Sequence, residues 1–127
     1  MKPENKELLL KDLCARLPYD IIVKDEYGDY IEVNIYTANL EHLIDRVSEG
    51  IVKMVLRPMS SMTEEETKEY QSLCEIHFDN TADGDFITYY FDTVESFDWL
   101  NKNMFDYRGL IPKDLALSTE MSNPYKD

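Results

Sequence analysis

The most informative stretch of the chain is residues 97–111, Phe-Asp-Trp-Leu-Asn-Lys-Asn-Met-Phe-Asp-Tyr-Arg-Gly-Leu-Ile. Eight of its fifteen side chains are aromatic, aliphatic or thioether, and one is the only tryptophan. A solvated loop does not need so many apolar groups. The stretch therefore either closes the core of the fold or forms a contact surface.

The first part of this stretch predicts a helix that begins at a cap on Asp92 or Thr93 and ends near Asn103. Residues on one helical face recur every three to four positions, so the apolar ones should face the core together. This stripe of predicted core residues consists of Phe97, Leu100 and Met104.

Trp99 lies on another side of the same helix, about 130° from the centre of the stripe. A tryptophan on a polar face needs a cover. One interpretation is that Phe105, Tyr107 and Leu110 fold back over it. The alternative is an aromatic contact surface for a partner or a second copy of the chain. Its interaction residues would be Trp99, Phe105, Tyr107 and Arg108.

Outward from this stretch, the chain predicts two β-hairpins. The first spans residues 19–36, with Gly28 available for a positive φ in its turn. The second spans residues 76–91 around the polar loop 79–85. A short apolar run at residues 51–56 is compatible with either a strand or a helical turn.

Three further helices are predicted. The first ends at Pro18, because proline cannot extend a helix. Asn39 is the predicted N-cap and Gly50 the C-terminal stop of a short second helix. Thr63 and Glu66 have the spacing of a capping box that begins the third. The apolar stripe expected on the first helix is Leu10, Leu13, Cys14 and Leu17.

Together these elements predict an α+β fold, with three or four helices packed on a small antiparallel sheet built from two hairpins. We expect a single domain over residues 1–127, with a polar tail from about residue 118 that frays. Cys14 and Cys74 are predicted to be free and buried, since they lack the spacing of a zinc site.

The net charge of −13 is unevenly distributed. Residues 1–57 carry 8 basic and 11 acidic side chains, whereas residues 58–127 carry 5 and 15. Such a field repels nucleic acids and anionic membranes and favours a basic protein partner. We find no apolar membrane span and no signal peptide, so the expected compartment is the cytoplasm.

Candidate catalytic and metal-binding patterns are weak. Asp79, Asp83 and Asp85 faintly resemble a calcium-binding loop, but Tyr90 occupies the twelfth position, where a glutamate should be. A plain hairpin turn is the favoured interpretation. His42 and His77 stand outside any metalloprotease or hydrolase motif. We therefore assign no catalytic residue, metal or cofactor from the sequence.

Three blocks carry a family resemblance: residues 8–19 (LLLKDLCARLPY), residues 56–66 (LRPMSSMTEEE) and residues 98–112 (DWLNKNMFDYRGLIP). They resemble small proteins encoded in gut Bacteroides-type genomes, often on phages or other mobile elements. No activity is assigned to that family, so no catalytic residue is carried over. The resemblance implies a bacterial, intracellular accessory protein.

The function expected from these observations is non-enzymatic interaction with another protein through an acidic, tyrosine-rich surface. Nine tyrosines supply amphipathic contact area. Two alternatives remain open. One is an enzyme whose carboxylates are brought together only by the fold, and the other is an acidic nucleic-acid mimic that inhibits a basic partner.

Overall fold

A computed structural model of the protein describes residues 1–36 and 39–125. Over these residues the fold is α+β, with four α-helices, a four-stranded mixed sheet and a two-stranded sheet. This confirms the predicted fold class. In chain order the elements are α1 (Pro3–Arg16), β1 (Ile21–Lys24), β2 (Tyr30–Val33), α2 (Leu40–Ser48), β3 (Lys53–Leu56), a 3-10 turn (Met59–Ser61), α3 (Glu64–Leu73), β4 (Glu75–Asn80), β5 (Phe86–Phe91), α4 (Val94–Lys102) and β6 (Ala116–Ser118).

The chain divides into two compact units. The first unit consists of Met1–Ser61 and Asn101–Asp127, and the second unit is Met62–Leu100. The boundary at residue 100 falls within α4, so the first unit takes only the last two residues of that helix.

The first unit contains the mixed sheet, with strand order β2-β1-β3-β6. β1 pairs antiparallel with β2 and β3, whereas β3 and β6 run parallel. The main hydrophobic core of this unit brings together buried residues of the sheet, α1 and α2. Leu110 and Leu115, from the segment that leads into β6, belong to the same core.

The prediction of one antiparallel sheet built from two hairpins is therefore wrong. Only β1–β2 belongs to the main sheet, which gains β3 and β6, and β4–β5 forms a sheet of its own. β6 has three residues, too few for a periodic pattern to reveal. The tail after it is held by Tyr125, whose hydroxyl accepts from Ile22 N and donates to Val55 O, each at 2.8 Å.

The buried side of α1 also differs from the predicted stripe. Leu9, Leu13 and Leu17 face the core, whereas Cys14 is exposed and its predicted burial is wrong. Two charged residues, Asp12 and Arg16, occupy the buried side with the leucines. A pattern of apolar residues cannot indicate a helix face whose buried positions include an ion pair. Cys74 is partly buried, and both thiols are free.

The helix caps follow the sequence. The Asn39 side chain accepts from His42 N at the start of α2. Thr63 and Glu66 form both hydrogen bonds of a capping box at the start of α3. At α4, Thr93 rather than Asp92 is the cap, because its Oγ1 accepts from Ser96 N at 3.1 Å. Short-range signals of this kind depend only on neighbouring residues.

α4 is rotated relative to the prediction. Leu100 and Met104 are buried as expected, but Phe97 is 41% exposed and Trp99 only 9%. Ser96 is fully buried on the same side as Trp99, and its Oγ donates to Asp92 Oδ1 at 3.0 Å. The predicted core position of Phe97 is therefore wrong. No described helix, over residues 1–36 and 39–125, combines the length and apolar character needed to cross a membrane.

Candidate functional site

The β4–β5 hairpin of the second unit is the most exposed apolar element that the structure describes. All twelve residues of the two strands are exposed. Phe78 is 70% and Phe86 76% exposed. A two-stranded sheet with no cover is only marginally stable in water, and contiguous exposed apolar groups mark interaction sites. The large apolar side chains of this hairpin are Ile76, Phe78, Phe86, Ile87, Tyr89, Tyr90 and Phe91.

Local hydrogen bonds hold the hairpin in register. Asn80 lies opposite Phe86, and the pairing continues to Glu75 opposite Phe91. In the loop, Thr81 N donates to Asp85 O at 2.7 Å, and Asp85 N donates to Thr81 Oγ1 at 3.1 Å. Gly84 has a φ of 86°, the left-handed conformation that glycine adopts without steric cost.

The two faces of the hairpin differ in charge. Cross-strand partners point to the same face of a sheet, so the register assigns each residue to a face. One face, called here the uncharged face, has no Asp, Glu, His, Lys or Arg. It consists of Ile76, Phe78, Asn80, Phe86, Thr88 and Tyr90.

The other face, called here the acidic face, places polar residues on β4 opposite apolar residues on β5. Its residues are Glu75, His77, Asp79, Ile87, Tyr89 and Phe91. The rings of His77 and Phe91 meet edge to face at 5.0 Å, and His77 Nε2 lies 3.3 Å from Glu75 Oε1. The hairpin therefore offers an apolar surface on one side and a mixed acidic and aromatic surface on the other.

Both strands also have an open edge, because β4 and β5 pair only with each other in the part of the chain that the structure describes. Thr81 and Asp85 are opposite each other, and the bond from Thr81 N to Asp85 O makes them a hydrogen-bonded pair of the ladder. Bonded and non-bonded pairs alternate along an antiparallel ladder. The backbone groups of Ile76 and Phe78 therefore point away from β5.

The second unit holds most of the net charge of the protein. Residues 62–100 contain 11 acidic side chains and one lysine, a balance of −10. The remainder contains 15 acidic and 12 basic side chains. The apolar hairpin thus lies in a strongly negative body.

Contacts within the second unit connect the hairpin ends to its helices. Thr93 Oγ1 donates to Leu73 O at 2.6 Å, and the Tyr70 hydroxyl donates to the Asp92 carboxylate. Burial, and then the hydrogen bond to Asp92, raise the pKa of Tyr70 well above its usual value. The Tyr70 ring lies 5.8 Å from the Trp99 ring, centroid to centroid. Trp99 therefore presents little of its surface to solvent.

The other predicted interaction residues make intramolecular contacts in the first unit. Phe105 is fully buried, with the Arg57 guanidinium 4.1 Å from its ring centroid. Two arginines lie near the Tyr107 ring, with Arg16 Cζ 5.5 Å and Arg108 Cζ 4.7 Å from its centroid. An interaction role for Trp99, Phe105, Tyr107 and Arg108 stays a prediction. The hairpin is the better candidate because its rings are exposed.

Asp12 joins these arginines in a buried ion network. Arg16 Nε and Nη2 donate to its two carboxylate oxygens at 2.7 and 3.0 Å, and Arg108 Nη1 donates to Oδ1 at 2.9 Å. Arg16 Nη2 also donates to Phe105 O at 2.7 Å. The network connects α1 to the segment after α4. All the contacts given above are intramolecular, so we assign the network a role in stability rather than in binding.

The predicted metal candidates do not converge. Asp79 lies in β4 on the acidic face, whereas Asp83 and Asp85 follow in the hairpin loop. Over residues 1–36 and 39–125, no group of three His, Cys, Asp or Glu side chains is arranged to hold a metal ion. The faint likeness to a calcium loop gains no support from the structure.

A cavity of 310 Å³ in the first unit is the nearest approach to an enzyme site. Asp25, Glu26, Arg46 and His42 lie at its edge. Glu26 is paired with Arg46, and this hydrogen bond lowers the pKa of the Glu26 carboxyl. A carboxylate held ionised in this way is poorly matched to proton transfer near neutral pH. Asp25 Oδ1 accepts from Tyr27 N and Asp29 N, so it serves the β1–β2 turn.

The β4–β5 hairpin itself was predicted from the sequence and is confirmed, but the sequence pointed to residues 97–111 rather than to this hairpin as the candidate interaction surface. A signal was present in residues 86–91, Phe-Ile-Thr-Tyr-Tyr-Phe, which form six consecutive uncharged, β-favouring residues between Asp85 and Asp92. The sequence pattern could not show that no third strand pairs with them.

The fold and this surface define an α+β protein with an exposed two-stranded sheet in an acidic unit. Comparisons of the chain with models of protein families, with curated proteins and with solved structures found no match.

Proposed function

We propose that the protein is a non-enzymatic binding module whose contact surface for another protein is the β4–β5 hairpin. The observation that carries this proposal is that every residue of both strands is exposed, with seven large apolar side chains among the twelve. Burying such side chains in an interface contributes about 25 cal/mol per Å² of apolar surface. A hairpin that lacks a core of its own gains this stabilisation only from a partner.

The composition of the hairpin fits a binding surface. Phe and Tyr rings supply large contact areas with few rotatable bonds, and aromatic residues are enriched at interface cores. The uncharged face places Phe78 and Phe86 close to each other around Thr88. We expect these two rings to be the centre of the contact, because hot spots cluster where water is excluded.

A nucleic-acid mimic is the second candidate function for the second unit, favoured by its net charge of −10 over 39 residues. A mimic presents charges to a phosphate-binding surface, and its binding should depend on those charges. Loss of the aromatic rings of the uncharged face would then have little effect. We favour a protein-binding module because the hairpin exposes seven large apolar side chains, which a phosphate-binding surface would not need.

The proposal also includes the setting implied by the family resemblance. We place the protein in the cytoplasm of a bacterium, as an accessory protein carried by a phage or another mobile element. A partner that is basic would associate quickly with so acidic a unit.

Affinity capture with matched variants tests the proposal. The immobilised protein is exposed to a lysate of the organism that encodes it, and bound proteins are quantified by mass spectrometry. Phe78→Ser with Phe86→Ser removes the two most exposed rings of the hairpin. We expect this variant to lose the specific partner, since hot-spot truncations cost about 2 kcal/mol or more each.

Tyr27→Ser with Tyr36→Ser is the control, because these tyrosines are also highly exposed but lie in the first unit. The control should retain the partner. Equal capture by both variants would contradict the proposal. Ile76→Thr with Tyr90→Thr keeps β-favouring residues in the strands and tests the same face if the serine variant unfolds locally.

A further inference from the structure

From the edge of β4 we infer the chemistry of the partner. The structure assigns this edge to an extended peptide segment of the partner protein, with basic and apolar residues in alternation, which adds to the sheet as a third strand. The inference rests on the proposed function, because it names the partner of the same hairpin.

The open edge favours strand addition over contact through a face alone. The backbone N–H and C=O groups of Ile76 and Phe78 point away from β5, as the alternation of the ladder requires. Proteins usually protect such edges with lysine, proline or a covering element. β4 contains neither lysine nor proline, and all its residues are exposed. Unpaired groups in this arrangement are a template for an added strand.

The side chains of β4 specify the pattern of the added strand. Residues of β4 alternate between the acidic face, with Glu75 and Asp79, and the uncharged face, with Ile76 and Phe78. Neighbouring residues on one face of a sheet interact across the strands. A segment with Lys or Arg at every second position would place the cations beside Glu75 and Asp79. Its intervening apolar residues would then contact Ile76 and Phe78.

The same charges argue against a second copy of the chain as the occupant. An antiparallel pair of β4 strands centred on His77 would place Glu75 opposite Asp79 of the other copy. Like charges directly opposite each other are destabilising. Each copy would also bring a unit with a balance of −10. A basic segment would instead attract Glu75 and Asp79 and would also be attracted by the negative charge of the whole unit.

The edge of β5 is a poorer site for such a segment. Its six residues include no Asp, Glu, His, Lys or Arg, and the side chains on both faces are apolar or hydroxylic. A strand beside β5 would hold its cations next to Ile87, Tyr89 and Phe91, one strand farther from the carboxylates. Because Glu75 and Asp79 lie on β4, the edge of β4 is the better site for a basic segment.

Defined peptides test this inference without knowledge of the partner. The probe is a fluorescently labelled peptide of alternating lysine and valine, KVKVKVK, and binding is followed by fluorescence polarisation. Two controls are KKKKVVV, with the same composition in blocks, and EVEVEVE, with inverted charge. We expect the alternating peptide to bind at least about tenfold more tightly than the block peptide, since only alternation matches both faces. The glutamate peptide should not bind.

Matched protein variants separate the β4 edge from the overall charge. Glu75→Gln with Asp79→Asn and Glu65→Gln with Glu69→Gln each remove two negative charges from the second unit, but Glu65 and Glu69 lie on α3. The β4 variant should weaken binding about fivefold or more relative to the α3 variant, because it removes two cross-strand ion pairs.

Equal losses in the two variants, or equal binding of alternating and block peptides, would overturn the inference and leave only non-specific attraction. If no peptide binds, the inference also fails. The proposed function is then judged separately by the capture experiment with Phe78 and Phe86, whose result does not depend on the edge of β4.

Discussion

Asp12 combines full burial with three charged hydrogen bonds in the first unit. The carboxylate is the counter-charge of Arg16, which is also fully buried and therefore out of contact with bulk solvent. One nitrogen of that guanidinium, Nη1, has no hydrogen-bond partner within the described residues. Buried charges are tolerated only when paired, so the burial of Arg16 depends on Asp12.

Replacement of Asp12 by Asn should lower the free energy of unfolding by about 3–5 kcal/mol, because Arg16 would stay buried without its counter-charge. Urea denaturation monitored by circular dichroism measures this loss. Glu7→Gln on the same helix is the control, since Glu7 is exposed, and it should change stability by less than about 0.5 kcal/mol. Equal unfolding midpoints for the two variants would contradict a structural role for the network.

Tyr125 gives a second prediction, on the response to alkaline pH. Burial raises the pKa of its hydroxyl to about 12, so ionisation is harder in the folded than in the unfolded protein. Below about pH 10, the usual tyrosine pKa, its contribution to stability is fully present, and it is lost as the pH rises through 12. Tyr125→Phe should reduce this alkaline loss.

The same variant should cost about 2 kcal/mol at neutral pH, because Ile22 N and Val55 O would lose their partner. Unfolding by urea at pH 7 and at pH 11 measures both effects. A variant that matches the wild type at pH 7 would show that the tail is not anchored by this side chain.

At the scale of elements, the sequence predicted what neighbouring residues determine. The caps at Asn39 and Thr63 are confirmed because cap and helix are adjacent in the chain. The composition of the main sheet was harder to predict, because β6 is short and its pairing with β3 joins residues some sixty positions apart. The phase of α1 was missed, since two charged residues share its buried side with the leucines. The β4–β5 hairpin was predicted, but its exposure was not, because its strands look like core strands.

The residues around β5 are of the kind that oppose self-association of an exposed strand. A six-residue uncharged segment rich in aromatic and β-branched residues is prone to pair with copies of itself. Acidic residues flank it, with Asp83 and Asp85 before it and Asp92 after it. Flanking charges of this kind oppose edge-to-edge pairing, because they would be stacked in any assembly.

Asp83→Asn with Asp85→Asn should therefore lower the protein concentration at which aggregates form, measured by light scattering and thioflavin fluorescence. Glu65→Gln with Glu69→Gln removes the same charge from α3 of the same unit and should have the smaller effect. If the two double variants aggregate alike, net charge rather than position protects β5.

At the scale of the whole molecule, charge and apolar surface are unevenly divided between the two units. The first unit has the larger core and a net charge of −3. The second unit has the exposed hairpin and a net charge of −10. Long-range attraction acts mainly on the rate of association, while buried apolar contacts act mainly on dissociation.

In binding of the alternating lysine peptide, charge should therefore control the association rate and apolar contacts the dissociation rate. Between about 50 and 200 mM salt, the association rate should fall several-fold, because exposed charges are screened over about 10 Å. The dissociation rate should change little with salt but rise in Phe78→Ser. Stopped-flow fluorescence measures both rates. A dissociation rate that follows salt as steeply as the association rate would indicate a contact made by charges alone.

Amide hydrogen exchange along β4, measured by NMR on a monomer verified by light scattering, is the most direct test of the central claim. In the free protein the amides of Ile76 and Phe78 should exchange rapidly, and those of His77 and Asp79 slowly, since only the latter point toward β5. Saturation with the alternating lysine peptide should protect Ile76 and Phe78. Protection of these two amides in the free monomer, or no change on saturation, would contradict an open binding edge.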